Sequence, residues 1–467
     1  MTDWMMIKPV VLWSDSLIFL LALLLILFFV HMARNPVARM RWRTVFASPT
    51  GMGAFLVILF YILVALLDSI HFRQPLEQSD ASSDVHYSQQ VDSVLDLIIG
   101  DLRGKDEKTY SAPFAIYSFA KETRTLDDGS IVRDFPRLEH AGVHLSDPAE
   151  HWHDIRNRTL EALLIGLAIS AALVLLHWQW RNRCDAVACG PRKEYLPWKT
   201  IYGTLAFLVF ATVWVLKLGG LYHILGTNMV GQDTLYQAIK GIRTGVLIGT
   251  LATILTMPLA IVLGICAGYF RGRVDDLVQY VYTTLSSIPG ILLIAASILL
   301  IDVYIETHPE QFALTVERAD FRFLALCFIL GMTSWTGLCR LLRAETLKVS
   351  QLDYVQAARA FGVPHWRILA SHILPNITHL ILISLVLDFS GFVLAEAILS
   401  YIGVGVDPTM ASWGNMINDA RAELSRDPVI WWSVSAAFLL MFGLVLAANL
   451  FSDRVRDAFD PRAANKA

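Results

Sequence analysis

The sequence predicts an all-α integral membrane protein with about nine transmembrane helices and a small α+β extracytoplasmic insertion. Three observations carry that expectation. Hydrophobic residues fill 55% of the 467 positions and charged residues only 17%, where a soluble domain carries about 25% charged; mean hydropathy is +0.51. The apolar excess is gathered into long runs. The Arg and Lys residues flanking those runs alternate so that every basic cluster falls on one side. A net charge of −3 gives no electrostatic reason to expect a nucleic-acid partner.

A helix needs about 20 mostly apolar residues to cross the hydrocarbon core. The runs that meet or approach this are Leu12 to Val30, Gly51 to Leu67, Thr159 to His177, Ile201 to Leu218 and Gly245 to Tyr269. Four more follow, from Leu277 to Ile301, Phe321 to Leu341, Ile377 to Ile402 and Val429 to Phe451. Arg34, Arg39, Arg41 and Arg43 follow the first run, while only Lys8 precedes it. The positive-inside rule then places the N-terminus outside and the C-terminus in the cytoplasm. Counting onward, Arg181, Arg183, Arg192, Lys193, Lys199, Arg271, Arg273, Arg340, Arg343, Lys348, Arg454, Arg456 and Arg462 all fall inside. The first run is too long for a cleavable signal peptide, lacks a basic start and is read as a retained anchor. Trp413, Trp431 and Trp432 are expected in the outer aromatic belt, and Arg243 at the headgroups.

From about Ile70 to Arg158 no run can span, and the count places this segment outside. Val91, Val94, Leu95, Ile98 and Ile99 recur at helical spacing. Ala115 to Phe119 and Ser130 to Phe135 read as strands, with turn chemistry at Asp127, Asp128 and Gly129 between them. His140, His144, His151 and His153 cluster near its end beside Glu139 and Glu150. Their spacing matches no closed zinc ligand set, and a solvated polar connector is the plainer reading. The five cysteines make no disulfide framework: Cys266, Cys327 and Cys339 lie in apolar runs, and Cys184 and Cys189 share a basic loop.

After the seventh run comes a cytoplasmic stretch over 340–376 with helix-forming residues, a small-residue patch, a Gly stop and a Pro restart. Ala357 and Ala358 let another backbone approach closely. Gly362 can take the positive φ that ends one helix and turns the chain. Pro375 suits the first turn of the next. The expected product is a short exposed helix, opening near Asp353 and Tyr354, that can receive force from a partner.

This stretch resembles the "EAA" loop of bacterial ABC import permeases, in which E-A-A is followed at fixed spacing by G and then by I-x-L-P. Here Gln356-Ala357-Ala358, Gly362 and His372-Ile373-Leu374-Pro375 stand at the matching positions. Gln356 replaces the Glu and removes its charge; His372 replaces the first Ile. His223-Ile-Leu-Gly226-Thr227, with Gly231 and Asp233, is similar to the H-P-L-G-T-D-x-x-G-R-D signature of dipeptide and oligopeptide permeases, Asn228 and Gln232 departing from it. Glu396-Ala-Ile-Leu-Ser400-Tyr-Ile-Gly403-Val-Gly405 and Ser412-Trp413-Gly414-Asn415-Met416 also match in order. The chain is therefore identified as resembling the C-type (DppC/OppC-like) permeases of the dipeptide, oligopeptide and nickel group, over roughly its last 245 residues.

The resemblance implies a type I ABC importer permease core in a bacterial inner membrane. The expected domains are transmembrane helices over 1–69, a periplasmic insertion over 70–158, additional transmembrane helices over 159–218 and the core over 219–467. Whether the extra spans extend the N-terminus or are inserted stays open. No G-x-x-x-x-G-K-[ST] loop occurs, so no cofactor is expected on this chain. The resemblance implies two partner ATP-binding subunits carrying ATP and Mg²⁺, a second homologous permease subunit and a periplasmic solute-binding protein. Asp388 and Glu396 lie within the eighth run, where a carboxylate is costly unless it faces protein or water, so both are pathway or gate candidates; a structural hydrogen bond is the alternative. Rival readings are an ion-coupled secondary transporter or channel, a membrane-bound enzyme, and a membrane-anchored sensor using the outer segment.

Overall fold

The computed structural model describes residues 8–75, 87–88, 91–125, 131–187, 196–312 and 314–459. The turn expected at Asp127, Asp128 and Gly129 lies outside them, as do Cys189, Arg192, Lys193 and Arg462. Among the described residues nine helices are long and apolar enough to cross a membrane. Eight coincide with the expected runs. The sixth is displaced: Leu277 to Ile301 is not one span. Helix α8 (Gly272–Ser286) ends before Pro289, and α9 (Gly290–Thr307) is the apolar segment. Proline biases the preceding residue away from helical backbone and lacks the N–H that would continue the ladder.

The chain folds as two compact units, Met1–Val11 with Phe46–Thr244 and Ala411–Ala447, and Leu12–Val45 with Gly245–Met410 and Ala448–Ala467. Helices α7 (Thr234–Phe270) and α15 (Trp432–Phe459) contribute residues to both.

In the first unit, α3 (Pro49–Asp68) starts at a Ser48 cap followed by Pro49, the arrangement that leaves no helix N–H orphaned by proline. Its Tyr61 hydroxyl donates to the Leu440 carbonyl at 2.8 Å, giving a polar group on an apolar helix its partner. A helical hairpin of α5 (His151–Val187) and α6 (Trp198–Gly219) packs on α3. Gly166 lets the two hairpin helices close up: a Cβ there would sit 3.2 Å from the Phe210 backbone.

The 70–158 segment is built differently from the one helix and two strands that the sequence suggests. Strand β1 (Lys8–Val10) pairs with β2 (His71–Arg73), which pairs with β3 (Asp92–Ser93), all antiparallel. Residues 8–10 are therefore held against the segment that follows α3. The expected amphipathic helix over Val91 to Ile99 shrinks to α4 (Val94–Ile98), because a Ser93–Asp96 capping box fixes its start. Strands β4 (Glu122–Thr125) and β5 (Ile131–Asp134) form a hairpin. Ala115 to Phe119 is not a strand: it carries only one isolated bridge, Tyr117 to Arg137. Helix α5 begins at His151, so the last residues assigned to the insertion already belong to a span.

In the second unit, α1 (Trp13–Arg34) runs beside α10 (Thr315–Val349), tied by the Ser14 amide donating to Asp320 at 3.1 Å. Buried side chains of α7, α8, α10, the loop that follows and the start of the next long helix form one core, including Tyr269, Val278, Tyr282, Leu338, Leu342, Ile368 and Ile377. At Gly264 and Gly268 a Cβ would approach the Cys339 and Arg343 carbonyl oxygens to 2.8 and 2.7 Å, so α7 and α10 touch backbone to backbone.

Candidate functional site

The loop between α10 and α13 (Leu374–Tyr401) contains a short helix, α11 (Asp353–Ala360). Ser350, Gln351 and Leu352 close α10 with amide bonds to Thr346, Lys348 and Val349, and α11 starts at once. One side of α11 is fixed: Val355 is buried and Ala358 packs on the core. The other side is open, with Asp353, Tyr354, Gln356 and Ala357 exposed.

The end of α11 is a Schellman turn. The Val363 amide donates to the Ala358 carbonyl and the Gly362 amide to Arg359, both at 3.1 Å, and Gly362 has φ +74°. These are the bonds that satisfy the last carbonyls when a left-handed residue ends a helix, and Val363 meets the same core as Ala358. Phe361 stands 86% exposed at the tip. Beyond Pro364, α12 (His365–Ile368) runs through a wider π turn, Leu369–Ile373, into α13. Pro375 occupies the first turn of α13, but the helix ahead of it does not stop. The π turn absorbs the hydrogen bond that proline cannot donate.

Two contacts brace α11. Asn376 Nδ2 donates to the Tyr354 hydroxyl at 2.9 Å and to the His372 carbonyl at 2.6 Å. Tyr269, at the end of α7, pairs its hydroxyl with His365 Nδ1 at 2.8 Å, and the Arg359 guanidinium lies 5.3 Å from its ring centroid. Gln356 makes no ion pair; its amide donates to the Gln351 carbonyl. Asp275 receives a two-pronged Arg343 contact, with Nη2 to Oδ2 at 2.6 Å. None of these bracing residues except Tyr354 and Gln356 was expected from sequence. The Tyr269 and His365 pairing joins positions 96 apart and leaves no local signal.

Leu374 is half-buried and Pro375 exposed. Farther along α13, Asp388 is half-buried and makes no hydrogen bond or ion pair among the described residues. Glu396 is 2% exposed and accepts from Ser400 Oγ at 3.0 Å.

The family-type motif over 223–233 lies in the first unit. Gly226 and Gly231 both have positive φ, and Thr227 bridges Asp233 across a tight loop. The loop is a socket for the insertion. The Ser111 amide donates to Thr227 Oγ1 at 2.6 Å, the Thr227 amide returns a bond to the Ser111 carbonyl, and the Glu107 amide donates to Gly231. His223 is buried between Asp233, with Nδ1 to Oδ2 at 2.8 Å, and Glu107, with Nε2 to Oε1 at 3.5 Å. Burial opposes charge on His223, but the two carboxylates overcome it and raise its pKa to about 9. Burial likewise opposes ionisation of Glu107, yet His223 and the Glu139, His140 and Ala141 amides hold it at about 2.

Trp413 and Trp432 correct the aromatic-belt expectation. Both are buried, and their indole N–H groups donate at 2.9 Å to the Ala238 and Thr227 carbonyls; only Trp431 is exposed. Helix α14 (Trp413–Glu423) is capped by Ser412 accepting from the Asn415 amide, with Gly414 buried behind it. Arg243 is also buried, donating to Ser69 Oγ at 3.1 Å, not anchored at headgroups.

His140, His144, His151 and His153 do not converge. His144 and Tyr222 both bond Asp154 at 2.8 Å, His153 pairs with Arg156, and His151 stacks near Tyr222. Among the described residues no three His, Cys, Asp or Glu side chains are placed to hold a metal ion.

The profile of the family described as "Binding-protein-dependent transport system inner membrane component" matches residues 260–465. The chain is 31% identical over 242 residues to the oligopeptide transport system permease protein OppC of Haemophilus influenzae, covering 52% of this chain and 71% of that protein. It is 32% identical over 247 residues to the OppC protein of Mycobacterium tuberculosis, covering 53% and 78%. A chain of the inward-facing MetNI methionine ABC transporter is similar over 48% of this chain and 96% of its own, at 14% identity and a TM-score of 0.38. With nine candidate spans and these relatives, the chain belongs to the binding-protein-dependent transport inner-membrane family and is a permease subunit of an ABC importer.

Proposed function

We propose that the chain forms half of a translocation pathway for peptides and that its cytoplasmic handle is α11. The observation that carries this is a helix fixed on one side by Val355 and bare on the other, ending in an exposed Phe361 beside Gly362. Such an element transmits force only if a partner grips it. Two ATP-binding subunits, holding ATP and Mg²⁺, supply that grip; their closure shifts the packed spans between two arrangements, a rigid-body switch driven from outside the chain. Asp353, Tyr354, Gln356, Ala357, Ala358, Gly362, Leu374 and Pro375 form the coupling surface and its hinge. Asp388 and Glu396 are the pathway or gate carboxylates.

A second homologous permease subunit supplies the other half of the pathway, and a periplasmic solute-binding protein delivers the peptide. The outer segment then faces the periplasm, with the N-terminal strand on the same face and the C-terminus in the cytoplasm. Peptides are favoured as cargo because the similar proteins named above are oligopeptide permeases. Purification in mild detergent tests the assembly: ATP-binding subunits and a second permease co-purify. Recovery of the chain alone from membranes that contain those subunits would refute it.

A further inference from the structure

Helix α8 has three faces, and they are chemically distinct. Asp275, Val278, Tyr282 and Leu285 turn toward the rest of the unit: Val278 and Tyr282 are buried and Leu285 packs on the core. Val274, Leu277, Val281 and Ile288 are apolar and exposed. Asp276, Gln279, Tyr280, Thr283, Thr284 and Ser287 line a groove of about 510 Å³. At 100° per residue the polar and apolar exposed sets point about 120° apart.

The contacts of α8 fix its depth. Arg343 pairs with Asp275, the Arg340 guanidinium lies 5.6 Å from the Tyr282 ring centroid, and Ser286 Oγ donates to Thr336 Oγ1 at 3.5 Å. The helix thus runs from the basic end of α10 into its apolar part, a full turn past Arg340. Side chains from Thr283 onward stand at membrane depth. An exposed Leu277 and Val281 suit lipid on one side. On the other side the Thr284 and Ser287 hydroxyls donate to the Tyr280 and Thr284 carbonyls at 2.8 and 2.7 Å, yet this stripe carries a carboxylate at Asp276 and no aliphatic side chain, so it offers lipid little to pack against and suits water or a solute.

We propose that the Asp276–Ser287 face is the inner mouth of the translocation pathway, wetted and in contact with the solute as it leaves. The chemistry fits a peptide. The Thr283 hydroxyl offers a donor and an acceptor to peptide backbone groups, the Thr284 and Ser287 oxygens, whose hydrogens go to helix carbonyls, still accept from backbone amides, and Asp276 offers a carboxylate to a terminal ammonium. Asp275, its neighbour, is committed to Arg343 and takes no part. This inference rests on the import reading and locates the path within it.

The test is thiol labelling in the assembled transporter, in inside-out vesicles, after Cys184, Cys189 and Cys266 are replaced. Cys327 and Cys339, 1% and 0% exposed, stay in place. Single cysteines are put at Thr283 and Ser287 and, as controls, at Leu277 and Val281. A charged, water-soluble methanethiosulfonate should react with the first pair at least about tenfold faster, as exposure to water governs thiolate reactivity. Modification there should also block uptake of labelled trialanine. Equal rates on both faces would overturn the proposal, as would labelling of T283C and S287C that leaves uptake unchanged. If the polar-face thiols are labelled and block uptake of some other solute, while trialanine is not imported by the unmodified transporter, the pathway placement stands and the peptide reading falls.

Discussion

The Tyr354 hydroxyl accepts a hydrogen bond from Asn376 Nδ2 across 22 residues, at 2.9 Å, and so ties α11 to the start of α13. Because Asn376 also holds the His372 carbonyl beside the π turn, one side chain joins the handle to the span it would move. Tyr354→Phe and Asn376→Leu each remove that link at a cost of about 0.5–1.5 kcal/mol. The ratio of uptake to ATP hydrolysis in proteoliposomes should fall by up to about fivefold in each. The double variant should be no worse than the more severe single one, since both delete the same contact. Additive losses would show that the two residues act separately.

Gly362 isolates conformation from crowding. Its φ is +74°, and a Cβ there would meet nothing within 4 Å. A β-branched residue therefore costs only backbone strain, about 1–2 kcal/mol, and that strain lands on the turn that aims α11. Gly362→Val should insert normally and hydrolyse ATP with partner subunits while uptake collapses. Gly362→Asn, which tolerates the left-handed region, should retain most uptake. Loss of uptake in both would mean that size at the tip matters instead.

His223 gives the outer socket a defined pH range. Its pKa rises from the ordinary 6.5 to about 9 on folding, so its contribution is complete below 6.5 and is lost as pH climbs through 9. Glu107 falls from 4.5 to about 2, so its contribution is complete above 4.5 and is lost as pH drops through 2. Protease resistance of the outer segment should be level between these ordinary values and decline on the alkaline side. His223→Ala should lower it throughout, by roughly 3–5 kcal/mol, because two carboxylates are left facing each other in a buried site. A resistance profile in H223A that still bends above pH 6.5 would assign the alkaline effect elsewhere.

The parts that were readable in sequence are those with local causes. Span length is summed along the chain, and Gly362 marks the end of α11 because a backbone restriction acts at a single residue. Residues whose surroundings come from distant segments were not readable. Trp413 and Trp432 look like interfacial tryptophans until Ala238 and Thr227 supply carbonyls to their indoles. Ala115 to Phe119 has strand composition but forms a single isolated bridge, Tyr117 to Arg137. Glu107 sits in an unremarkable loop of mixed charge, and its role emerges only when His223 arrives from 116 positions away. The Pro289 break was visible as a residue, but not its consequence, a polar helix set before an apolar one.

Gly231 shows how closely the insertion fits its socket. A Cβ at this position would lie 1.7 Å from the Glu107 carbonyl oxygen, and the backbone is at φ +82°. Gly231→Ala therefore combines positive-φ strain of about 1–2 kcal/mol with overpacking of about 1–3 kcal/mol. Gly104 separates the two, since its φ is +75° and nothing lies within 4 Å of its Cβ. Hydrogen exchange at the Glu107, Ser111 and Thr227 amides reads the outcome directly. These amides should lose protection strongly in Gly231→Ala and only slightly in Gly104→Ala. The excess in Gly231→Ala measures contact between the motif loop and the inserted segment, because strain at each glycine is nearly the same. Equal losses would mean the inserted segment can back away from the loop at little cost, and that the socket is not what holds the outer segment in place.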